Sequence, residues 1–145
     1  MMKRLLILLA MIACVTAQAQ NDVAKVLSKL ETNRISATYD CVIDQNGIPV
    51  HLSGNAVVQG GCFHIAGNGI EIFCDSEKLC YKDPESKEVY IEDAVNLESY
   101  IKDNIASVKD IKFTNVKYAP LSEDMSAFTL DTAALGKSWT VTDLR

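Results

Sequence analysis

Residues 54–91 decide the fold, and they read GNAVVQGGCFHIAGNGIEIFCDSEKLCYKDPESKEVYI. Short runs of β-branched, aromatic and other apolar residues alternate here with clusters of turn-forming residues. Those clusters are Gln59-Gly60-Gly61, Gly67-Asn68-Gly69, Asp75-Ser76-Glu77-Lys78 and Asp83-Pro84-Glu85-Ser86. Glycine takes positive φ without steric cost, and proline presets φ at the second position of a turn. The stretch therefore predicts a meander of antiparallel strands.

The meander extends in both directions along the chain. Residues 35–43 alternate as a strand, and Asn46-Gly47 is a strong hairpin signal that returns the chain as residues 50–58. Further strands are predicted at residues 111–118, 127–131 and 138–142. The apolar phase of the first of these shifts between Phe113 and Val116, which indicates a bulge near Asn115 or burial on both sides. The fold class is therefore mainly β, within α+β.

A trial register assigns each side chain to a face, because side chains alternate with period two. The register places Val58 opposite Phe63, Ala66 opposite Ile70, and Asp75 opposite Leu79. One face then becomes almost continuously apolar. Its larger members are Tyr39, Cys41, Ile43, Leu52, Val58, Phe63, Ile65, Phe73, Leu79, Tyr81 and Tyr90. The pattern alone does not separate a filled core from a lined cavity.

Two amphipathic helices are the predicted cover for that face. The first is capped by Asn21 or Asp22 and ends near Asn33, and the second is capped by Asn96. The residues expected to face the sheet are Val26, Leu27, Leu30, Leu97 and Ile101.

Length and composition limit the class of protein. The chain has 145 residues, of which 48% are hydrophobic, and a net charge of −5. This size suits one globular domain, and the acidic balance with scattered lysines argues against nucleic-acid binding.

The N-terminus has the pattern of a signal peptide at residues 1–19. Lys3 and Arg4 precede an apolar run, and Ala17-Gln18-Ala19 forms a cleavage site. A single domain at residues 20–145 would remain. The alternative is a lipobox that makes Cys14 a lipid anchor. Either interpretation predicts an exported protein, located in a bacterial periplasm.

The cysteines at positions 62, 74 and 80 are the least ordinary feature. The trial register sets Cys74 opposite both Cys62 and Cys80, so Cys74 could form a cross-strand disulfide with either in an oxidising compartment. A zinc site with His64 as the fourth ligand is a second interpretation, although the compact C-x₂-C spacing is missing. Buried free thiols that pack as small apolar residues are the third.

Motifs for catalysis are sparse. The sequence contains two histidines but no G-x-S-x-G, no H-E-x-x-H and no glycine-rich phosphate loop before a helix. We therefore expect a protein that is not an enzyme, with no catalytic residues, no cofactor and no metal.

Four stretches together resemble a known family. They are Gly61-Cys62-Phe63-His64-Ile65, Ile70-Glu71-Ile72-Phe73-Cys74-Asp75, Leu79-Cys80-Tyr81-Lys82-Asp83-Pro84 and Trp139-Thr140-Val141-Thr142-Asp143-Leu144-Arg145. With the leader and first helix, they resemble the LolA/LolB-like periplasmic lipoprotein carrier family, and most of all the short LolA-like outer membrane lipoprotein chaperones of Bacteroidetes.

The resemblance implies a curved antiparallel sheet, an unclosed half β-barrel, with helices on its concave face. It implies that lipoprotein acyl chains or another lipid bind inside, for transfer from an inner-membrane donor complex toward an outer-membrane acceptor. We expect a monomer. The predicted lipid-binding residues are Tyr39, Leu52, Phe63, Ile65, Phe73, Leu79 and Tyr81. A non-catalytic envelope interaction module with a filled core is the alternative.

The sequence departs from the family at the first turn of the meander. The family usually carries a basic residue after the strand that ends here at Val58, where its arginine gates the lid. In this chain the turn is Gln59-Gly60-Gly61.

Overall fold

The computed structural model describes residues 24–26, 28–97 and 108–145, with side chains described from residue 111 onward in the last range. The predicted signal peptide lies outside the described residues. The strands are β1 (Asn33–Gln45), β2 (Ile48–Gln59), β3 (Cys62–Gly67), β4 (Ile70–Cys74), β5 (Lys78–Asp83), β6 (Glu88–Asp93), β7 (Val108–Pro120) and β8 (Thr140–Asp143).

These strands form one open sheet in the order β7-β1-β2-β3-β4-β5-β6-β8. The predicted meander is confirmed from β1 to β6, and β7 adds to the free edge of β1 in antiparallel orientation. The C-terminal strand β8 pairs with β6 in parallel. The sheet is therefore mixed and not closed, and the expectation of a wholly antiparallel sheet was wrong.

The hairpin turns set the register. Asn46 and Gly47 both have positive φ, 55° and 83°, as a two-residue type I′ turn requires. Asn68 and Gly69 do the same with φ of 53° and 76°, so Gly67 rather than Ala66 lies opposite Ile70. The trial register had allowed three residues in that turn.

This difference of one residue turns β4 over. Cys74 pairs with Phe63 on one side and with Leu79 on the other, whereas the trial register had placed Asp75 opposite Leu79. The trial register was off by one residue at the turn before β4 and again at the turn after it. The two shifts cancel, so the predicted faces of β5 and β6 are correct and only those of β4 are wrong. Ile70, Ile72 and Cys74 share the face of Phe63, and Phe73 points the other way.

A bulge in β7 is confirmed at the predicted place. The pairing with β1 shifts between Ser36 opposite Lys117 and Thr38 opposite Thr114, and Asn115 has a φ of 52°. The strand predicted at residues 127–131 is absent, because a 3-10 turn at Ser126–Phe128 and a second at Thr132–Ala134 occupy this region.

The sheet has two apolar clusters, one on each face. We call the face that bears Tyr39 and Phe63 the inner face. Its buried cluster comprises Tyr39, Cys41, Ile43, Leu52, Ala56, Val58, Phe63, Ile65, Ile70, Ile72, Cys74, Leu79, Tyr81, Leu97 and Ile111. The outer face carries a smaller cluster of Cys80, Val89, Ile91 and Leu130, with Phe73, Leu135 and Trp139 packed against it.

The predicted helical cover is not borne out in the described residues, which contain one short helix and the two 3-10 turns. Residues 24–26 and 28–29 are helical, and the chain then turns into β1 at Asn33, so the helix is short. The predicted second helix falls largely on residues 98–107, which lie outside the described residues.

Of the expected cover residues, Leu30 and Leu97 do pack on the inner-face cluster. Val26 is half-buried, while Leu27 and Ile101 lie outside the described residues. Within the described part of the chain, no helix has the length and apolar character needed to span a membrane.

Candidate binding cleft at one end of the sheet

Six of the seven predicted lipid-binding residues lie together on the inner face. Each is at most 7% exposed. They are Tyr39, Leu52, Phe63, Ile65, Leu79 and Tyr81. Their grouping on one apolar face is confirmed, and their role in binding lipid stays a prediction.

Phe73 is the exception. The corrected register of β4 places it opposite His64 and Cys80 on the outer face. Its ring stacks on the His64 imidazole with the ring centroids 4.4 Å apart. Phe73 therefore packs against the outer cluster, and its predicted place on the same face as the other six residues was wrong.

A cleft of about 350 Å³ opens at one end of the sheet. It lies between two turns of the meander, the end of the short helix and the segment after β6. Its lining residues are Leu30, Glu31, Gly60, Gly61, Cys62, Asp75, Ser76, Ala94, Val95, Asn96 and Leu97. This volume is within the range of small-molecule sites in proteins.

The apolar wall of the cleft is continuous with the interior. Leu30, Ala94 and Val95 line the cleft and also pack against the inner-face cluster, of which Leu97 is a buried member. A ligand seated in the cleft would touch the outermost side chains of the same apolar body that contains Phe63. The cleft is thus an edge of the inner face rather than a separate surface groove.

The two turns that border the cleft are fixed by hydrogen bonds. Gly60, with a φ of 59°, donates its N–H to the Leu30 carbonyl oxygen at 3.1 Å. The Oδ1 atom of Asp75 accepts the N–H groups of Glu77 and Lys78, each at 2.8 Å. The turn after β2 therefore holds the end of the helix, and the turn after β4 is closed by its own carboxylate.

Cys62 and Asp75 are titratable groups on the polar side of the cleft. Burial, and secondarily the Asp75 carboxylate, raises the pKa of the Cys62 thiol, so this thiol is neutral and poorly nucleophilic. At Asp75 burial acts to raise the pKa. The hydrogen bonds from Lys78, Glu77 and Thr129 outweigh it, and the pKa is lowered from its usual value. The cleft thus offers an ionised carboxylate beside an apolar wall.

The cysteines do not form the predicted row. Cys62 and Cys80 lie on the outer face, whereas Cys74 is fully buried on the inner face with Phe63 and Leu79 as its neighbours across the strands. Cys62, Cys74 and Cys80 have free thiols. The disulfide of Cys74 with Cys62 or Cys80 was predicted from their direct opposition across the strands. That opposition is wrong, because β4 is turned over.

The zinc interpretation has lost its basis for the same reason. Within residues 24–26, 28–97 and 108–145, no three His, Cys, Asp or Glu side chains are grouped so as to hold a metal ion. His64 lies 3.2 Å from Glu71 on the outer face, and Glu71 is bridged in turn by Lys82 at 3.2 Å. The imidazole thus contacts a carboxylate that is itself paired with a lysine on the sheet surface.

The cleft was not predicted, although the sequence contained a signal for it. In a meander, alternate turns lie at the same end of the sheet, so Gly60-Gly61 and Asp75-Ser76 had to be neighbours in space. A turn with two glycines beside a turn of small polar residues leaves room there.

No protein-family model matches this sequence, and no curated protein matches it. The likeness to lipoprotein carriers therefore remains a hypothesis.

Proposed function

We propose that the protein is an exported carrier that binds an acyl chain or another apolar chain on the inner face of the sheet, beneath a cover formed by Leu30, Ala94, Val95 and Leu97, with the cleft as the entrance. The observation that supports this most directly is the continuity between the apolar wall of the cleft and the inner-face cluster. A chain entering past Leu97 would displace the cover residues from the sheet and make its own contacts with the inner face.

The energetics suit such a ligand. Burial of apolar area contributes about 25 cal/mol per Å², so an alkyl chain gains affinity from length without needing directional partners. The inner face supplies large apolar side chains such as Phe63 and Tyr81, which belong to the cluster that includes Leu97 and on which Leu30 packs. In this proposal, opening of the cover is the step that controls binding and release.

The resemblance to the LolA/LolB-like family supplies the wider setting of the proposal. A half β-barrel carrier in a bacterial periplasm would accept lipoprotein acyl chains from an inner-membrane donor and deliver them to an outer-membrane acceptor. The usual basic residue is replaced by Gln59-Gly60-Gly61, so a handover in this chain would use other contacts than the family's arginine.

Uptake of an apolar fluorophore tests the proposal. We expect the full chain without its leader to bind 1-N-phenylnaphthylamine and to release it when a long-chain fatty acid is added. Gly61→Trp should weaken uptake by tenfold or more, about the effect of losing 1.4 kcal/mol. Gly61 lines the cleft and a Cβ built on it meets nothing within 4 Å, so a side chain at this position begins in open space.

Gly136→Trp is the matched control. Gly136 is also exposed and without a close backbone neighbour, but it does not line the cleft. Equal uptake by the two variants would reject the cleft as the entrance. Failure of the unmodified chain to bind either the fluorophore or any co-purified lipid would reject the carrier itself.

A filled-core interaction module is the second candidate, and one observation favours it. Tyr39, Phe63 and Ile65 are each at most 1% exposed, which is the burial of an ordinary core. A well-folded chain that takes up no fluorophore and no fatty acid would support this module.

A further inference from the structure

The C-terminal segment, residues 121–135, lies across the outer face of the sheet and carries the residues that hold it there. Phe128 is fully buried, and the guanidinium of Arg34 lies 5.0 Å from the centre of its ring. Leu130 is buried in the outer cluster. This segment is therefore an integral layer on the face opposite the proposed ligand.

The first bond between this segment and the cleft runs through Gln59, a buried polar residue at the end of β2. Its Nε2 donates to the Ser122 carbonyl at 2.9 Å, and its Oε1 accepts the Ser122 N–H at 3.1 Å. The same Oε1 accepts from Nε of Arg34 at 2.9 Å, and Arg34 also donates to the Asp124 carbonyl. Both the nitrogen and the oxygen of the Gln59 amide are thus hydrogen-bonded to Ser122 of the segment.

The next residue in the chain continues the connection to the opposite face. Gly60 follows Gln59 directly and holds the Leu30 carbonyl through its N–H. Gln59 therefore binds the outer segment, and the next residue, Gly60, binds the end of the short helix at Leu30. A displacement of Gln59 has to move Gly60, which borders the cleft.

The second bond runs through Asp75, on the other bordering turn. Its Oδ1 closes the turn after β4, and its Oδ2 accepts the hydroxyl of Thr129 at 3.0 Å. Thr129 directly follows the buried Phe128. Both turns that border the cleft are thus joined to the same outer segment by a side chain.

We propose that residues 121–135 brace the cleft from the opposite face, with Gln59 and Thr129 as the positioning residues that determine how far it opens. The effect on ligand entry rests on the proposed function, whereas the mechanical coupling does not. A partner or mutation that displaces the segment would loosen both turns together. The bonds from Gln59 to Ser122 and from Asp75 to Thr129 are both lost when the segment moves away.

Cys62 provides a reporter that needs no ligand. It pairs with Gln59 across the turn, lines the cleft and is half-buried, whereas Cys41, Cys74 and Cys80 are buried. The experiment measures the rate at which a disulfide reagent modifies Cys62 in the full chain under native conditions. Peptide mass spectrometry assigns the modified thiol.

Thr129→Val removes the hydroxyl while keeping the shape, and we expect it to speed modification of Cys62 about fivefold, as for the loss of one hydrogen bond. Thr129→Ser keeps the hydroxyl and should restore the original rate. Thr140→Val makes the same chemical change on β8, where the side chain is exposed, and should leave the rate unchanged. Gln59→Ala should act in the same direction as Thr129→Val.

Urea unfolding of each variant shows whether the change is local. Faster modification in Thr129→Val without a matching change in Thr140→Val supports the brace. Equal rates for Thr129→Val and Thr129→Ser overturn it. If modification responds as expected but the fluorophore does not bind to any variant, the carrier proposal fails and the brace remains.

Discussion

The hydroxyl of Tyr39 lies over Gly67, and a Cβ atom built on this glycine would be 2.5 Å from the Tyr39 oxygen. The same atom would also collide with the backbone oxygen of Ser53. Gly67 pairs with Gly54, where an added Cβ would meet the backbone of Ala66. The absence of side chains at this pair lets β2 and β3 approach closely under the tyrosine ring, which fills the space on the inner face.

Gly67→Ala should therefore destabilise the protein. One obstacle is backbone and cannot rotate away, so we expect a loss of about 1–3 kcal/mol in the free energy of unfolding, as for overpacking of a core. Gly61→Ala is the control, because its Cβ meets nothing within 4 Å. Urea denaturation of both variants measures the difference, and equal stability of the two would contradict the close approach.

Tyr39→Phe should change the response to alkaline pH. The Tyr39 hydroxyl is buried and has no hydrogen-bond partner in the described part of the chain. Burial, with a smaller effect from Cys41, raises the pKa of Tyr39 to about 12. The unfolded chain releases this proton near pH 10, so the folded state loses stability as pH rises from about 10 to about 12.

The Tyr39→Phe variant lacks this proton and should lose less stability over the same range. At pH 7 it should be as stable as the parent or more stable by up to about 1 kcal/mol, because an unsatisfied polar atom has been removed. Unfolding free energies at several pH values from 8 to about 11 provide the test. Identical alkaline slopes for the two proteins would show that the hydroxyl is hydrated or paired.

Native thiol modification should distinguish Cys62 from the other described cysteines. Cys41, Cys74 and Cys80 are each at most 1% exposed, and burial raises the pKa of Cys74 to about 11. We expect only Cys62 among these four to react before unfolding, and all four to react in urea. A disulfide-linked peptide containing Cys74 would instead restore the predicted row and contradict the turned-over β4.

Asp75→Ala should destabilise the protein at neutral pH by about 1–2 kcal/mol, because it removes an ionised acceptor of three hydrogen bonds. Since the folded state lowers the pKa of Asp75, its stabilisation is present above the usual carboxyl pKa. It is lost as pH falls through the lowered value. The difference from the parent should therefore shrink as pH falls below the usual carboxyl pKa of about 4.

Glu77→Ala removes a carboxylate from the same turn but leaves the three bonds in place. We expect it to remain close to the parent at all pH values in circular-dichroism unfolding. A difference for Asp75→Ala that stays constant down to acidic pH would mean that the charge on Asp75 does not contribute.

Much of the meander could be predicted from local chemistry. Asn46-Gly47 requires two positive φ values, and the alternation along β1, β2 and β3 then placed Tyr39, Leu52 and Phe63 on one face correctly. The bulge at Asn115 was visible as a change of apolar phase. These features depend on neighbouring residues, so a single sequence contains them.

The errors came where two structures satisfied the same local pattern. Gly67-Asn68-Gly69 can close a hairpin with two or three residues, and the choice decides whether Phe73 or Cys74 faces inward. The apolar residues of β4 occur on both faces, so hydrophobicity did not decide between them. The parallel pairing of β8 with β6 and the bonds from Gln59 to Ser122 are long-range and leave no mark in the local sequence.

The pairing of β1 with β7 has a consequence for the order of folding. β1 to β6 form by successive hairpins, each closed by a short turn, and can assemble as soon as residue 93 is available. The edges need residues 108–120 and 140–143, which come last in the chain. Contacts between distant residues carry a loop-closure cost and form slowly. Until β7 and β8 pair, β1 and β6 are the two bare edges of the meander, and bare edges are where edge-to-edge aggregation has its opportunity.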